Sequence, residues 1–107
     1  MNSLGRNTAQ KLPRQKELVG MRVTVELFGI PRLRAGVSET VAEGSTLGDV
    51  LWELSQRFPA LGEACISGRC LKAGFTANLR GEQFVTEPST HLHEGDSILL
   101  LSIDAGG

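Results

Sequence analysis

The sequence predicts an α+β fold in which one main helix packs on one face of a mixed sheet of about five strands. Three observations carry that expectation. Apolar residues alternate with polar ones over 22–27, the period of a half-buried strand. A single stretch, 47–58, places Leu47, Val50, Leu51, Leu54 and Phe58 at helical spacing on one face. The run Ser97-Ile98-Leu99-Leu100-Leu101-Ser102-Ile103 does not alternate, which is how a central strand reads. With 107 residues there is room for one domain.

Residues 1–20 stand apart as a polar, basic stretch with Pro13 in its middle and no apolar period. They are expected to be a disordered arm or a segment added ahead of the native start, with the domain at 21–107 and Met21 as its initiator. From there Val23, Val25 and Leu27 face one way and Arg22, Thr24 and Glu26 the other. Residues 29–36, with Gly29, Pro31 and Gly36, are too long for a tight hairpin and read as a loop whose Ile30 and Leu33 tuck under the sheet. A second strand is expected over 37–41, ended by Glu43-Gly44-Ser45. Thr46 then caps a helix over 47–58, with Asp49 as acidic partner in its first turn, and Pro59 stops it. Residues 60–70 have weak helical character interrupted by Gly62 and Gly68. A third strand is read over 71–79, turn chemistry at Asn78-Leu79-Arg80-Gly81, a short strand over 83–85, and a reversal at Glu94-Gly95-Asp96 before the closing strand over 97–103. The closing strand can return beside the first in parallel.

Composition removes several function classes. A formal net charge of −1 provides no basic face for nucleic acid. No apolar run approaches the ~20 residues of a membrane span, so the expected location is the cytoplasm. Cys65 and Cys70 follow no secretory segment and their spacing is not a zinc pattern. His91 and His93 have no cluster of further ligands, and no metal site is expected. A domain this small has little depth for an enclosed active site, which favours a carrier, a binding module or a small subunit over an enzyme.

The closing strand and the four residues after it are the candidate functional region. Ile98 and Leu100 can face the helix, which leaves Leu99, Leu101 and Ile103, together with Phe28 at the end of the first strand, as a partner docking surface. The sequence then finishes Asp104-Ala105-Gly106-Gly107. Four extended residues reach about 13 Å, and the paired glycines fit a narrow channel in another protein. The terminal carboxylate of Gly107 is unhindered and suits activation by an external enzyme that supplies the catalytic groups.

Four stretches resemble a known family: MRVTVELFGIPRLRAG, STLGDVLWELSQRFPAL, NLRGEQFV and HLHEGDSILLLSIDAGG. They are similar to the ubiquitin-like β-grasp sulfur carriers, MoaD/ThiS-like proteins that include the molybdopterin synthase small subunit and the thiazole-synthesis carrier. Phe28-Gly29 and the long segment after it look more like the former. That subunit commonly has a proline-rich step where this chain has Ser102-Ile103-Asp104-Ala105. The resemblance implies that an E1-like adenylating enzyme uses ATP to adenylate Gly107, and that a sulfurtransferase supplies the sulfur of a thiocarboxylate. Asp104, Ala105 and Gly106 would then insert into a large synthase subunit for molybdopterin synthesis. The chain itself would hold no permanent cofactor. Related carriers serve thiamine, cysteine or tRNA thiolation, and some are conjugated to lysines as protein modifiers. A plain interaction module with an inert tail is the remaining alternative.

Overall fold

Alternation sets the first strand, β1 (Met21–Leu27), which turns Val23, Val25 and Leu27 into the core. The computed structural model describes residues 21–103; the expected arm and the expected reactive tail, 104–107, lie outside the described residues. β2 (Glu39–Gly44) pairs antiparallel with β1, from Met21 opposite Gly44 to Glu26 opposite Glu39. It starts two residues later than the sequence suggests and runs through the expected break. The reason is register: Ala42 is the buried residue opposite Val23, whereas Val37 and Val41 are exposed.

The segment between these strands is not a loop but a short helix, α1 (Ile30–Ala35). Six residues are too few for helical periodicity to declare itself, but the punctuation is present. Pro31 occupies the first turn, where its missing N–H costs nothing, and Gly36 ends the helix in the left-handed conformation with its N–H on the Arg32 carbonyl at 2.9 Å. Pro31 is the residue that is buried; Ile30 and Leu33, expected beneath the sheet, are exposed.

The main helix, α2 (Leu47–Arg57), forms as its spacing predicts, with Leu47, Val50, Leu51 and Leu54 buried. Thr46 Oγ1 accepts the Asp49 N–H at 3.2 Å, and the Asp49 carboxylate in return accepts the Ser45 N–H at 3.1 Å, a reciprocal cap of the first turn. Pro59 ends α2 and, as the first residue of α3 (Pro59–Cys65), starts the next helix. Gly62 does not interrupt it. A Cβ there would lie 2.8 Å from Ser55 Cβ and 3.0 Å from Ser55 Cα, so glycine is what lets α3 approach α2 this closely.

The expected third strand divides. Leu71 belongs to a small hairpin, β3 (Ile66–Ser67) with β4 (Cys70–Leu71), and β5 begins after the turn at Gly74 and covers Phe75–Leu79. Gly74 has φ +96°, a backbone state that a continuous strand does not contain. β6 (Gln83–Val85) pairs with β5, and β7 (Ser97–Ser102) completes the sheet in the order β2-β1-β7-β5-β6. β7 is central, parallel to β1 and antiparallel to β5. The α+β, ubiquitin-like β-grasp architecture is therefore present, with the core between α2, α3 and one face of the sheet.

Candidate docking face and tail exit

β7 is positioned from its first residue by a polar clamp. Asp96 is buried, yet it accepts the His93 N–H at 2.8 Å and two hydrogen bonds from Arg80 Nη1 at 2.9 and 3.0 Å. Burial works against the charge, but the His93 amide, the Arg80 hydrogen bonds and the Arg80 charge outweigh it and hold the carboxyl below its ordinary value. Arg80 itself sits at φ +58°. The clamp joins the turn before β7 to the turn between β5 and β6, so the strand that leads to the tail starts from a fixed point.

From there alternation sorts the apolar run as expected. Ile98 and Leu100 are buried in the core, while Leu99 and Leu101 lie on the opposite face and are partly buried. Phe28 follows Leu27 on that outer side, with its N–H on the Leu100 carbonyl at 3.0 Å, and is 62% exposed. Ile103, 58% exposed, is held by its N–H on the Gly74 carbonyl at 2.7 Å. Asp104, Ala105, Gly106 and Gly107 lie outside the described residues.

Phe84 is the member of this face that sequence reasoning missed. It is 67% exposed and lines a groove of ≈ 390 Å³ with Thr76, Leu101, Ser102 and Ile103. The signal was the period of two in Gln83–Val85, which puts Phe84 opposite Asn78 and on the same face as Leu99 and Leu101. Asn78 Oδ1 is buried on this face with no hydrogen-bond partner among the described residues, a costly state for an acceptor unless something docks on it. Toward the other edge the face turns acidic: Glu26 lies directly opposite Glu39.

The remaining candidates do not converge on chemistry. Cys65 is buried and Cys70 exposed, both free. Cys70 faces Ser67 across the small hairpin, not Cys65. Burial pushes the Cys65 thiol up, with Arg34 and Lys72 pulling partly back. Among the described residues no group of His, Cys, Asp and Glu is arranged to hold a metal ion, and no helix is long and apolar enough to cross a membrane. Trp52 of α2 is exposed, with the Arg69 guanidinium 5.5 Å from its ring centre.

No curated protein matches the chain by sequence. Among solved structures, the chain is similar to the small archaeal modifier protein 1 of Methanosarcina acetivorans, with 26% identity and a TM-score of 0.68 over 82% of this chain and 98% of that one. It shares its fold with a Pyrococcus furiosus protein provisionally described as molybdopterin converting factor, subunit 1 (23% identity, TM-score 0.63, 77% and 97% covered). It also shares it with a chain of the Amycolatopsis orientalis BexX/CysO complex (20% identity, TM-score 0.67, 79% and 99% covered). What these proteins have in common with it is the ubiquitin-like β-grasp fold. The ThiS family model matches residues 25–107, nearly the whole folded domain and the Gly-Gly ending, and the chain belongs to the ThiS family.

Proposed function

We propose that this protein is a sulfur carrier whose reactive group is the Gly107 carboxylate. The observation that carries the reading is that the family match runs through the glycine pair to residue 107. In the reaction, a carboxylate oxygen of Gly107 attacks the α-phosphorus of ATP on an E1-like adenylating enzyme and pyrophosphate leaves. A hydrosulfide equivalent from a sulfurtransferase then attacks the acyl carbon, AMP leaves, and a thiocarboxylate remains. The chain supplies no catalytic group and acts as a co-substrate of these enzymes in the cytoplasm. The destination we favour is molybdopterin synthesis, with a large synthase subunit receiving Asp104, Ala105, Gly106 and Gly107. The apolar outer face formed by Phe28, Leu99, Leu101 and Ile103 is the proposed docking surface.

Mass spectrometry of the protein incubated with its activating enzyme, sulfurtransferase and ATP should show one oxygen replaced by sulfur at Gly107. A carboxylate that stays unmodified there sinks the reading, as does full function after deletion of Gly106 and Gly107. The likeness to an archaeal modifier protein favours a second reading, conjugation of Gly107 to lysines of other proteins. Peptides from cell extracts carrying Gly107 on a lysine would select it over the carrier.

A further inference from the structure

The six arginines of the described residues divide into two groups. Arg22, Arg57, Arg69 and Arg80 each ion-pair with a carboxylate. Arg32 and Arg34 pair with nothing among the described residues, and both lie on α1, on either side of Leu33. That leucine is 76% exposed. It lines a groove of ≈ 540 Å³ with Phe28, Gly29, Arg32, Gly36, Val37 and Ser38, and no carboxylate is among the lining residues. Gly29 at φ +68° and Gly36 at φ +81° bracket the helix, and buried Pro31 pins it. Its apolar and cationic groups are thus presented by a constrained backbone, which lowers the ordering cost of binding.

We propose that the α1 groove is a second docking surface, occupied by an acidic, apolar segment of the protein that activates the tail. This rests on the reading above that Gly107 is activated by another protein. Charge complementarity selects the chemistry: a groove with Phe28, Leu33, Val37 and the Arg32 guanidinium in its lining, and Arg34 on the same helix, neither arginine ion-paired among the described residues, fits a segment that brings carboxylates beside leucine-like side chains. Position selects the partner. Phe28 hydrogen-bonds to Leu100, and α1 packs against β7, the strand from which the tail departs. A protein that grips residues 104–107, about 13 Å of extended chain, therefore has α1 within reach, and two linked contacts reinforce each other.

Other occupants fit less well. The first 20 residues carry Arg6, Lys11, Arg14 and Lys16 against Glu17, the wrong charge for this groove. They also join the fold at Met21, beside Gly44 and at the opposite end of β1 from α1. A two-fold pairing of copies would set arginines against arginines. An anionic membrane gains only about 1 kcal/mol per basic residue, too little from two.

The test is ATP–pyrophosphate exchange by the cognate activating enzyme, titrated with the full chain at low and high salt. Three variants are compared: the double reversal Arg32→Glu/Arg34→Glu, Leu33→Asp, and the conservative Arg32→Lys/Arg34→Lys. Both disruptive variants should raise the KM for the carrier by about tenfold or more at low salt while kcat stays within about twofold. The charge-reversal effect should shrink as salt rises, and the lysine pair should stay within about threefold of the parent. All substituted positions are exposed, and unchanged circular dichroism and melting establish that the variants fold. Exchange by the parent chain with both disruptive variants at parental KM overturns this proposal alone. No exchange with the parent chain overturns the activation reading and this proposal with it. A KM rise that high salt leaves intact for the charge reversal contradicts the acidic partner, and binding of the parent chain, but not the reversal, to phosphatidylserine vesicles assigns the groove to a membrane instead.

Discussion

Replacing Asp96 by asparagine removes the charge at the centre of the clamp that starts β7. Three hydrogen bonds converge on that carboxylate, two from Arg80 and one from the His93 amide. Hydrogen bonds to a charged group contribute about 1.5–3 kcal/mol each before the desolvation of a buried carboxylate offsets them. Asparagine keeps one acceptor for the amide, and partly exposed Arg80 recovers some hydration, so the expected net loss is about 2 kcal/mol at neutral pH. In a domain of this size that corresponds to a fall in melting temperature of roughly 8–16 °C. The effect has a defined pH dependence. The folded carboxyl ionises below its ordinary value of 3.8, so its stabilisation is complete above that value and is lost as pH falls through the lower, folded value. Thermal or urea unfolding of parent and Asp96→Asn protein at pH 7 and pH 3 should show a wide gap that narrows in acid. In a double-mutant cycle with Arg80→Ala, the pair should couple by about 1 kcal/mol. A melting temperature within about 2 °C of the parent at pH 7, or a gap of the same size at both pH values, refutes the clamp.

Further outcomes follow from the packing. Gly62→Ala forces a Cβ to 2.8 Å from Ser55 and should cost about 1–3 kcal/mol in urea unfolding, although alanine is the better helix former. Thr46→Ala removes the α2 cap and should cost about 1 kcal/mol by the same measurement. A thiol reagent should label Cys70 rapidly in the native protein and reach buried Cys65 only on unfolding; two fast thiols would contradict the packing. Phe84→Asp and Leu101→Asp should leave the fold intact by circular dichroism yet weaken exchange with the activating enzyme by about tenfold or more, the result expected if the outer face docks.

The parts of the fold that the sequence revealed are those with a long, uniform period. β1, α2 and the two-sided β7 each present at least six residues of pattern, and the parallel return of β7 beside β1 follows from having one main helix to cross the sheet. The parts it hid are short or depend on partners far along the chain. α1 has only six residues, so its proline and glycines looked like loop punctuation. The register that carries β2 on to Gly44 is fixed by Val23 opposite Ala42, not by local composition. Gly62 resembled a helix breaker because its reason, Ser55 on the neighbouring helix, is a tertiary contact. At the candidate site, Leu99, Leu101 and Phe28 were legible from alternation, whereas Phe84 sat in a three-residue strand, and that Arg32 and Arg34 have no ion-pair partner among the described residues emerges only once the other arginines there are seen to be paired.

The parallel neighbours β1 and β7 also give the domain a mechanical character. The chain enters at the start of β1 and departs from the end of β7, so traction applied to the two ends pulls these strands along their length in opposite directions. Their ladder, from Thr24 beside Ser97 to Leu27 beside Leu100, with Thr24 bonded to Asp96 and Phe28 to Leu100, is then loaded in shear. Its hydrogen bonds must give way together, not one after another as in a peeled hairpin. A tail drawn hard into a partner's channel would therefore load the β1–β7 ladder in shear, a geometry in which several hydrogen bonds share the force.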